Sequence, residues 1–195
     1  MTATSVKTGP GTPERILDIA ERFVQLRGFN NFSYGDVARE LGITTASLHY
    51  HFPSKAELGQ ALITRYTERF LAALDQIDDD LGDAETKLKS YTGLYADVLR
   101  DHRMCMCGIL AAEYQTLPEP MRDAVIQFFD ENQNWLVDVL RQGQTDHSLK
   151  LAEPTDEIAR SIISTLEGAM LVARPYDDLA IFNSAARRLL AGLAG

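Results

Sequence analysis

Apolar residues recur along this chain with the 3.6-residue period of helices, and no segment sustains the period-two alternation of a half-buried strand. Ile16, Ile19, Ala20, Phe23 and Val24 form the first stripe, opened by Thr12-Pro13-Glu14 and stopped by Gly28. Phe29 and Phe32 are placed to close a small core over the next loop. Ser33 can cap a second helix with Asp36 as a weaker partner than the usual Glu or Gln. Val37, Ala38 and Leu41 carry the buried face of that helix and Gly42 ends it. Thr44 or Thr45 caps a short third helix, in which Leu48 and Phe52 fall four apart on one side. Ser54-Lys55-Ala56-Glu57 reads as a full capping box and opens a long helix, patterned by Leu58, Leu62, Tyr66 and Phe70 as far as Ile77.

The acidic run 78–83 is expected to be a solvated loop. Beyond it the periodicity predicts helices over 84–102, 105–116, 121–144, 155–173 and from Asp177 or Asp178 to Leu193. The fold class is therefore all-α, with nine helices, three in an N-terminal head and six behind. The divisions are 1–11 as a disordered Thr/Ser/Gly/Pro tail, 12–72 as the head, and 73–195 as a second helical domain.

Composition narrows the function classes. The chain has 195 residues, of which 45% are hydrophobic, enough for a proper core. No apolar run is long enough to span a bilayer, so no membrane partner is expected. The N-terminus has no secretory h-region, and Cys105 and Cys107 sit too close together to staple the fold, so a reduced, cytoplasmic protein is expected. The net charge of −9 at first argues against nucleic acid, but it is segregated. Residues 1–70 hold 8 Lys/Arg against 7 Asp/Glu, and residues 71–195 hold 11 against 21. An acidic rear domain repels DNA and orients the nearly neutral head toward it, with few phosphate contacts and modest non-specific affinity.

Two short helices joined by a tight Gly turn, Ser33 to Phe52, make a helix-turn-helix. With the following helix start, ITTASLHYHFPSKAELGQAL resembles the DNA-binding signature of the TetR family of one-component transcriptional regulators. The resemblance implies a repressor that binds a near-palindromic double-stranded DNA operator as a homodimer and is released by a small-molecule effector. It also implies roles. Thr44, Thr45, Ala46, Ser47 and Tyr50 face base edges or the groove rim; His49 touches phosphate where the family usually has Tyr; His51 matches the motif's common His; Lys55 meets phosphate. Ser33, Tyr34 and Gly35 bring the preceding helix N-terminus to the backbone. No Arg, Lys, Gln or Asn lies between Thr44 and Phe52, so the bidentate readers of guanine and adenine are missing and readout is expected to lean on shape and thymine methyls. An imidazole beside phosphate is favoured when charged, so binding is expected to tighten as pH falls through ~7.

The rear domain carries two further candidate surfaces. Ile158, Ile162, Leu166 and Ala169, with Ile181, Ala185 and Leu189, form apolar stripes on the last two helices, which in the TetR family build a four-helix dimer interface; an ordinary intrachain core would give the same pattern. Tyr91, Tyr95, Cys105, Met106, Leu110, Tyr114, Phe128, Trp135, Met170 and Arg174 are candidate lining of an effector pocket for an aromatic or apolar ligand. The segment Cys105–Glu113 is similar to one in TetR members that sense electrophiles, with Cys105 at the matching place. His102, Arg103 and a helix start beside it would lower a thiol pKa, whereas the competing reading is two small buried hydrophobes. The rival functions are a small cytosolic enzyme using Cys105 or Cys107 with His102, and a non-regulatory DNA-binding protein, for which a basic surface would be expected. No metal site or cofactor is expected: His49 and His51 lie about 200° apart around a helix, and His102, Cys105 and Cys107 lack a fourth ligand.

Overall fold

The computed structural model describes residues 11–80 and 82–193, so the tail expected over 1–11 lies, Gly11 apart, outside the described residues. Among the described residues nine α-helices follow in order: α1 Thr12–Arg27, α2 Tyr34–Leu41, α3 Thr45–His51, α4 Lys55–Asp79, α5 Ala84–Arg100, α6 Met106–Ala112, α7 Glu119–Thr145, α8 Thr155–Ala173 and α9 Leu179–Ala191. Short 3-10 turns cover Tyr114–Thr116 and Arg174–Tyr176, and no strand occurs among the described residues. None of the helices is long and apolar enough to cross a membrane.

Local chemistry explains most boundaries. Ser33 accepts from the Asp36 N–H at 3.2 Å while Asp36 accepts from the Ser33 N–H at 2.8 Å, a reciprocal box where the sequence promised the weaker one. The Ser33 hydroxyl, which donates to Asp36 Oδ2 at 2.7 Å, and then the Ser33 N–H hold the Asp36 carboxyl below the usual carboxylate range. At Ser54 only the forward bond, from the Glu57 N–H, is found. Gly42 closes α2 in the left-handed region, and Thr44 caps α3 through the Ser47 N–H. Gly11, rather than Thr12, is the N-cap of α1. The acidic run is not simply solvated: Asp78 accepts from Lys87 and from the Trp135 indole, each at 2.8 Å, and Asp83 caps α5.

The head closes on Ile16, Val24, Phe29, Phe32, Val37, Leu48 and Leu58, all buried. Behind it α4, α5 and α7 pack around an aromatic cluster. Phe128 lies 5.1 Å from Phe70 and 5.7 Å from Tyr66, and Tyr91 stacks on Trp135 at 5.5 Å. Buried Asn132 completes a ring of donors: the Tyr91 hydroxyl gives to Asn132 Oδ1 at 2.8 Å, Asn132 Nδ2 gives to the Tyr95 hydroxyl at 3.1 Å, and Tyr95 gives back to Tyr91 at 3.1 Å. Each buried polar group in it is satisfied, so the ring fixes the register of α5 on α7.

Glu167 of α8 lacks such compensation. Its Oε1 is buried with no hydrogen-bond partner, and burial lifts the carboxyl to about 7, only the neighbouring Cys105 thiol pulling it back down. A raised carboxyl pKa means that the folded state holds a proton that the unfolded chain releases, so stability falls as pH rises between the unfolded value of ~4.3 and about 7. Urea unfolding of Glu167→Gln and the parent is expected to diverge through that window. The variant should be more stable by about 2–3 kcal/mol at pH 8, with the gap shrinking to near zero at pH 4. Parallel pH profiles for the two proteins would contradict this assignment.

Candidate nucleic-acid interface and effector core

The helix-turn-helix presents its second helix outward. Thr44, Thr45, Ala46, His49 and Tyr50 are exposed, Ser47 is half-buried, and Tyr50 is 84% exposed, the most solvent-bared large aromatic of the head. Leu48 points the other way and is fully buried. His49 Nδ1 lies 3.1 Å from the Pro53 carbonyl, which can only accept, so Nδ1 carries the proton and Nε2 is left free at the surface. The His49 ring packs at 4.6 Å on Tyr34, whose hydroxyl donates to the Phe52 carbonyl at 2.8 Å. Burial, then the Glu57 charge, pushes the Tyr34 phenol up to about 12, so it stays a donor. Tyr34 therefore braces the recognition helix from below. Gly35 leaves the start of α2 open, a side chain there meeting only Ser33 Oγ at van der Waals distance. His51 is half-buried against Tyr50, at 5.2 Å.

Lys55 does not sit as the resemblance implies. Its Nζ donates to the carbonyls of Phe29 and Phe32, each at 2.6 Å, and rests over both rings at 4.6 and 4.4 Å. The loop between α1 and α2 has carbonyls with no helical partner, and the ammonium satisfies two of them at once. Burial lowers the Lys55 pKa, with Glu113 and Asp36 opposing the shift.

The head is tied to the rear domain by two groups that the sequence reading did not single out, Gln25 and Glu113, and braced within itself by a third, Glu21. Glu21, buried in α1, pairs with Arg65 at 2.8 Å and with Arg69, both on α4. Gln25 donates to the Met104 carbonyl at 3.1 Å and its own carbonyl accepts from the Met104 N–H at 3.4 Å. Glu113, just past α6, accepts from the Phe29 N–H at 2.8 Å and the Asn30 N–H at 3.3 Å. Gly28 makes that last contact possible. Its φ of 87° is in the region that favours glycine, and a Cβ there would collide with the Glu113 carboxylate. The sequence signal was present: Glu21, Glu113 and Glu167 each fall four residues after an apolar helix residue, Leu17, Ile109 and Ile163, where a charge interrupts the stripe.

Most of the predicted pocket residues do meet. Tyr91, Tyr95, Cys105, Met106, Leu110, Phe128 and Met170 are buried, and Trp135 is partly buried against them. Two do not join. Tyr114 is half-buried under Arg122, 5.9 Å away, and Arg174 is exposed and donates to the Leu26 carbonyl at the end of α1. A surface groove of about 390 Å³, lined by Phe129, Gln133, Arg160, Ile163 and Ser164, leads in between α7 and α8 to Glu167.

Cys105 is not an activated thiol. It is 3% exposed, and burial first, then the charges of Glu167 and Cys107, push its pKa well up; the Gly108 N–H, 3.4 Å from Sγ, opposes weakly. The cations expected to lower it point elsewhere: His102 pairs with Asp177 at 2.7 Å on the surface and Arg103 pairs with Asp101. His102 and Cys105 are therefore not assembled as a catalytic pair. Among the described residues, no three His, Cys, Asp or Glu side chains converge as metal ligands would.

The predicted dimer residues divide. Ile158, Ile162, Leu166 and Ala169 are buried in the chain's own core, because α8 packs against both α7 and α9. Ile181, Ala185 and Leu189 remain half-buried. The outer face of α8 instead bares Ser161, Leu171 and Val172, with half-exposed Thr165 and Gly168 in the same stripe, and Leu171 and Val172 are 56% and 55% exposed.

Known proteins place this arrangement. Residues 16–62 match the model for bacterial regulatory proteins of the tetR family, and residues 84–189 match the tetracyclin repressor-like C-terminal domain. The transcriptional regulator AcuR of Cereibacter sphaeroides is 26% identical over 153 residues, 76% of this chain and 69% of that protein. The transcriptional repressor KstR2 of Mycolicibacterium smegmatis is 26% identical over 155 residues, 78% of this chain and 74% of that one. A TetR-family regulator from Agrobacterium tumefaciens superposes with a TM-score of 0.91 at 32% identity, covering 94% of this chain and 97% of its own. The chain belongs to the tetR family of bacterial regulatory proteins and is a DNA-binding transcriptional regulator.

Proposed function

We propose that this protein is a repressor that binds a near-palindromic operator as a homodimer and lets go when a small molecule enters the core of the rear domain. The observation that carries the reading is the exposed recognition surface Thr44–Tyr50 on a head tied to the aromatic core of the rear domain through Gln25 and Glu113. A dimer puts two recognition helices about one DNA turn apart, ~34–36 Å. Symmetric pairing through the outer face of α8 and the half-buried face of α9 supplies it, since Leu171, Val172, Ile181, Ala185 and Leu189 are apolar and not consumed inside the monomer. Effector binding then stabilises the arrangement of α4 and α6 that spreads the heads. With no long polar side chain on the reading face, operator choice rests on groove shape, thymine methyls and the Tyr50 rim contact.

Three measurements test this reading. Fluorescence anisotropy on the DNA upstream of the protein's own gene should show specific, salt-dependent binding. In that assay Lys55→Met should lose thermal stability yet keep the slope of log K against log salt, because the lysine serves loop carbonyls; a phosphate contact would lower that slope by about 1. His49→Phe should bind the operator more weakly than the parent, because the exposed His49 leaves Nε2 free at the surface to meet phosphate. Val172→Glu should keep the monomer's helical content but shift sedimentation from dimer to monomer, with at least about a tenfold loss of operator affinity. An undisturbed dimer in Val172→Glu would place the interface elsewhere.

A further inference from the structure

The rear domain holds a charge site with no countercharge. Glu167 Oε1 is buried and unpartnered. The carboxylate reaches α6 at Gly108, where any Cβ would collide with it. Glycine inside a helix is unfavourable relative to alanine, so α6 carries a weak residue at the one place where the acid approaches. Every titratable group that feels this carboxylate is itself neutral or acidic: Tyr66 from α4, Tyr91 and Tyr95 from α5, Cys105 and Cys107 from the α6 segment. Arg160 lines the same groove but sits seven residues back along α8, about 10.5 Å of helix rise, and its Nε donates to the Asp156 carbonyl. The groove of about 390 Å³ opens this carboxylate to solvent past Phe129, whose ring adjoins Phe128 at 5.3 Å. Aromatic faces attract cations, and a buried carboxylate beside them attracts one more strongly.

We propose that Glu167 anchors a small organic cation, a primary alkylammonium or quaternary ammonium ion, that enters between α7 and α8 past Phe129. The proposal rests on the reading of this chain as an effector-responsive regulator and names the effector's chemical class. A carboxylate ligand would face Glu167 with no cation in the core to receive it. A neutral ligand would leave the acid's desolvation uncompensated. An ammonium ion compensates it and brings only its alkyl groups into apolar surroundings. The position also suits a switch. Glu167 meets the start of α6 at Gly108, and Glu113, just past the far end of that seven-residue helix, holds the head at Phe29 and Asn30. A cation that draws the carboxylate away from Gly108 acts on the element on which the head rests.

The test uses the full chain without DNA, so that its outcome is independent of whether an operator has been found. Isothermal titration at pH 8 compares n-alkylammonium ions from methyl to octyl and tetraethylammonium with the matching alcohols and carboxylates. At least one ammonium ion is expected to bind about tenfold or more tightly than its neutral counterpart and to raise the melting temperature. Glu167→Gln should abolish that preference while melting no lower than the parent. Binding should tighten as pH rises through about 7, because the cation competes with the proton on Glu167. Equal binding of alcohol and ammonium, tighter binding of the carboxylates, an undiminished preference in Glu167→Gln, or no binding across the series would each overturn the proposal. Operator binding by the same apo protein is measured separately; its failure would sink the regulator reading and leave the cation result standing.

Discussion

The bonds from the Phe29 and Asn30 N–H groups to the Glu113 carboxylate are the constraint on which the two halves of the molecule depend. A loop between helices has amide groups that must find partners, and here the rear domain provides them. Gly28 turns the chain so that the amides face α6, and Lys55 takes the carbonyls of the same loop from the other side. Donors and acceptors of one short loop are thus divided between the rear domain and the start of α4. A shift of α6 would leave the Phe29 and Asn30 amides unpaired unless the head moved with it.

The long helix α4 alone would be a poorer transmitter. Its buried residues Leu58, Leu62 and Ile63 belong to the head end and Leu74 and Ile77 to the rear, so a tilt of α4 strains both cores at once. The Glu21 pairs with Arg65 and Arg69 limit that tilt, since separating them would leave a buried carboxylate uncompensated. The hydrogen-bonded ring of Tyr91, Tyr95 and Asn132 ties α5 to α7 beside α4, with its polar atoms paired among themselves.

How much of this was legible from the sequence follows from the range of the interactions. The helix-turn-helix could be read because Ser33, Gly42, Thr44 and Ser54 act within three or four residues of themselves. The nine helices and the inward-facing aromatics could be read because periodicity is local too. Lys55 was misplaced because its partners lie 26 and 23 residues away in a loop, and Arg174 because its partner, the Leu26 carbonyl, lies 148 residues away; the packed fold likewise sets Tyr114 beside Arg122. The dimer stripe was assigned to the more apolar face of α8, yet apolar periodicity names the face that is buried first. In α8 that face goes to α7 and α9, leaving Gly168, Leu171 and Val172 outside. Charges that interrupt an apolar stripe were the signal left unused, and they mark Glu21, Glu113 and Glu167.

Glu167 also decides the state of Cys105. A thiolate there would have to form within a buried volume that already holds a carboxylate, and both the burial and the second negative charge oppose it. Below about 7 the acid takes up a proton and the repulsion fades, but at such pH the thiol has still less reason to ionise. At neither side of that titration is the sulfur a ready nucleophile. The similarity of the Cys105–Glu113 segment to electrophile sensors is therefore carried by a side chain whose chemistry the neighbouring acid suppresses. What the segment retains is mechanical: a helix start that feels Glu167 and a helix end that holds the head.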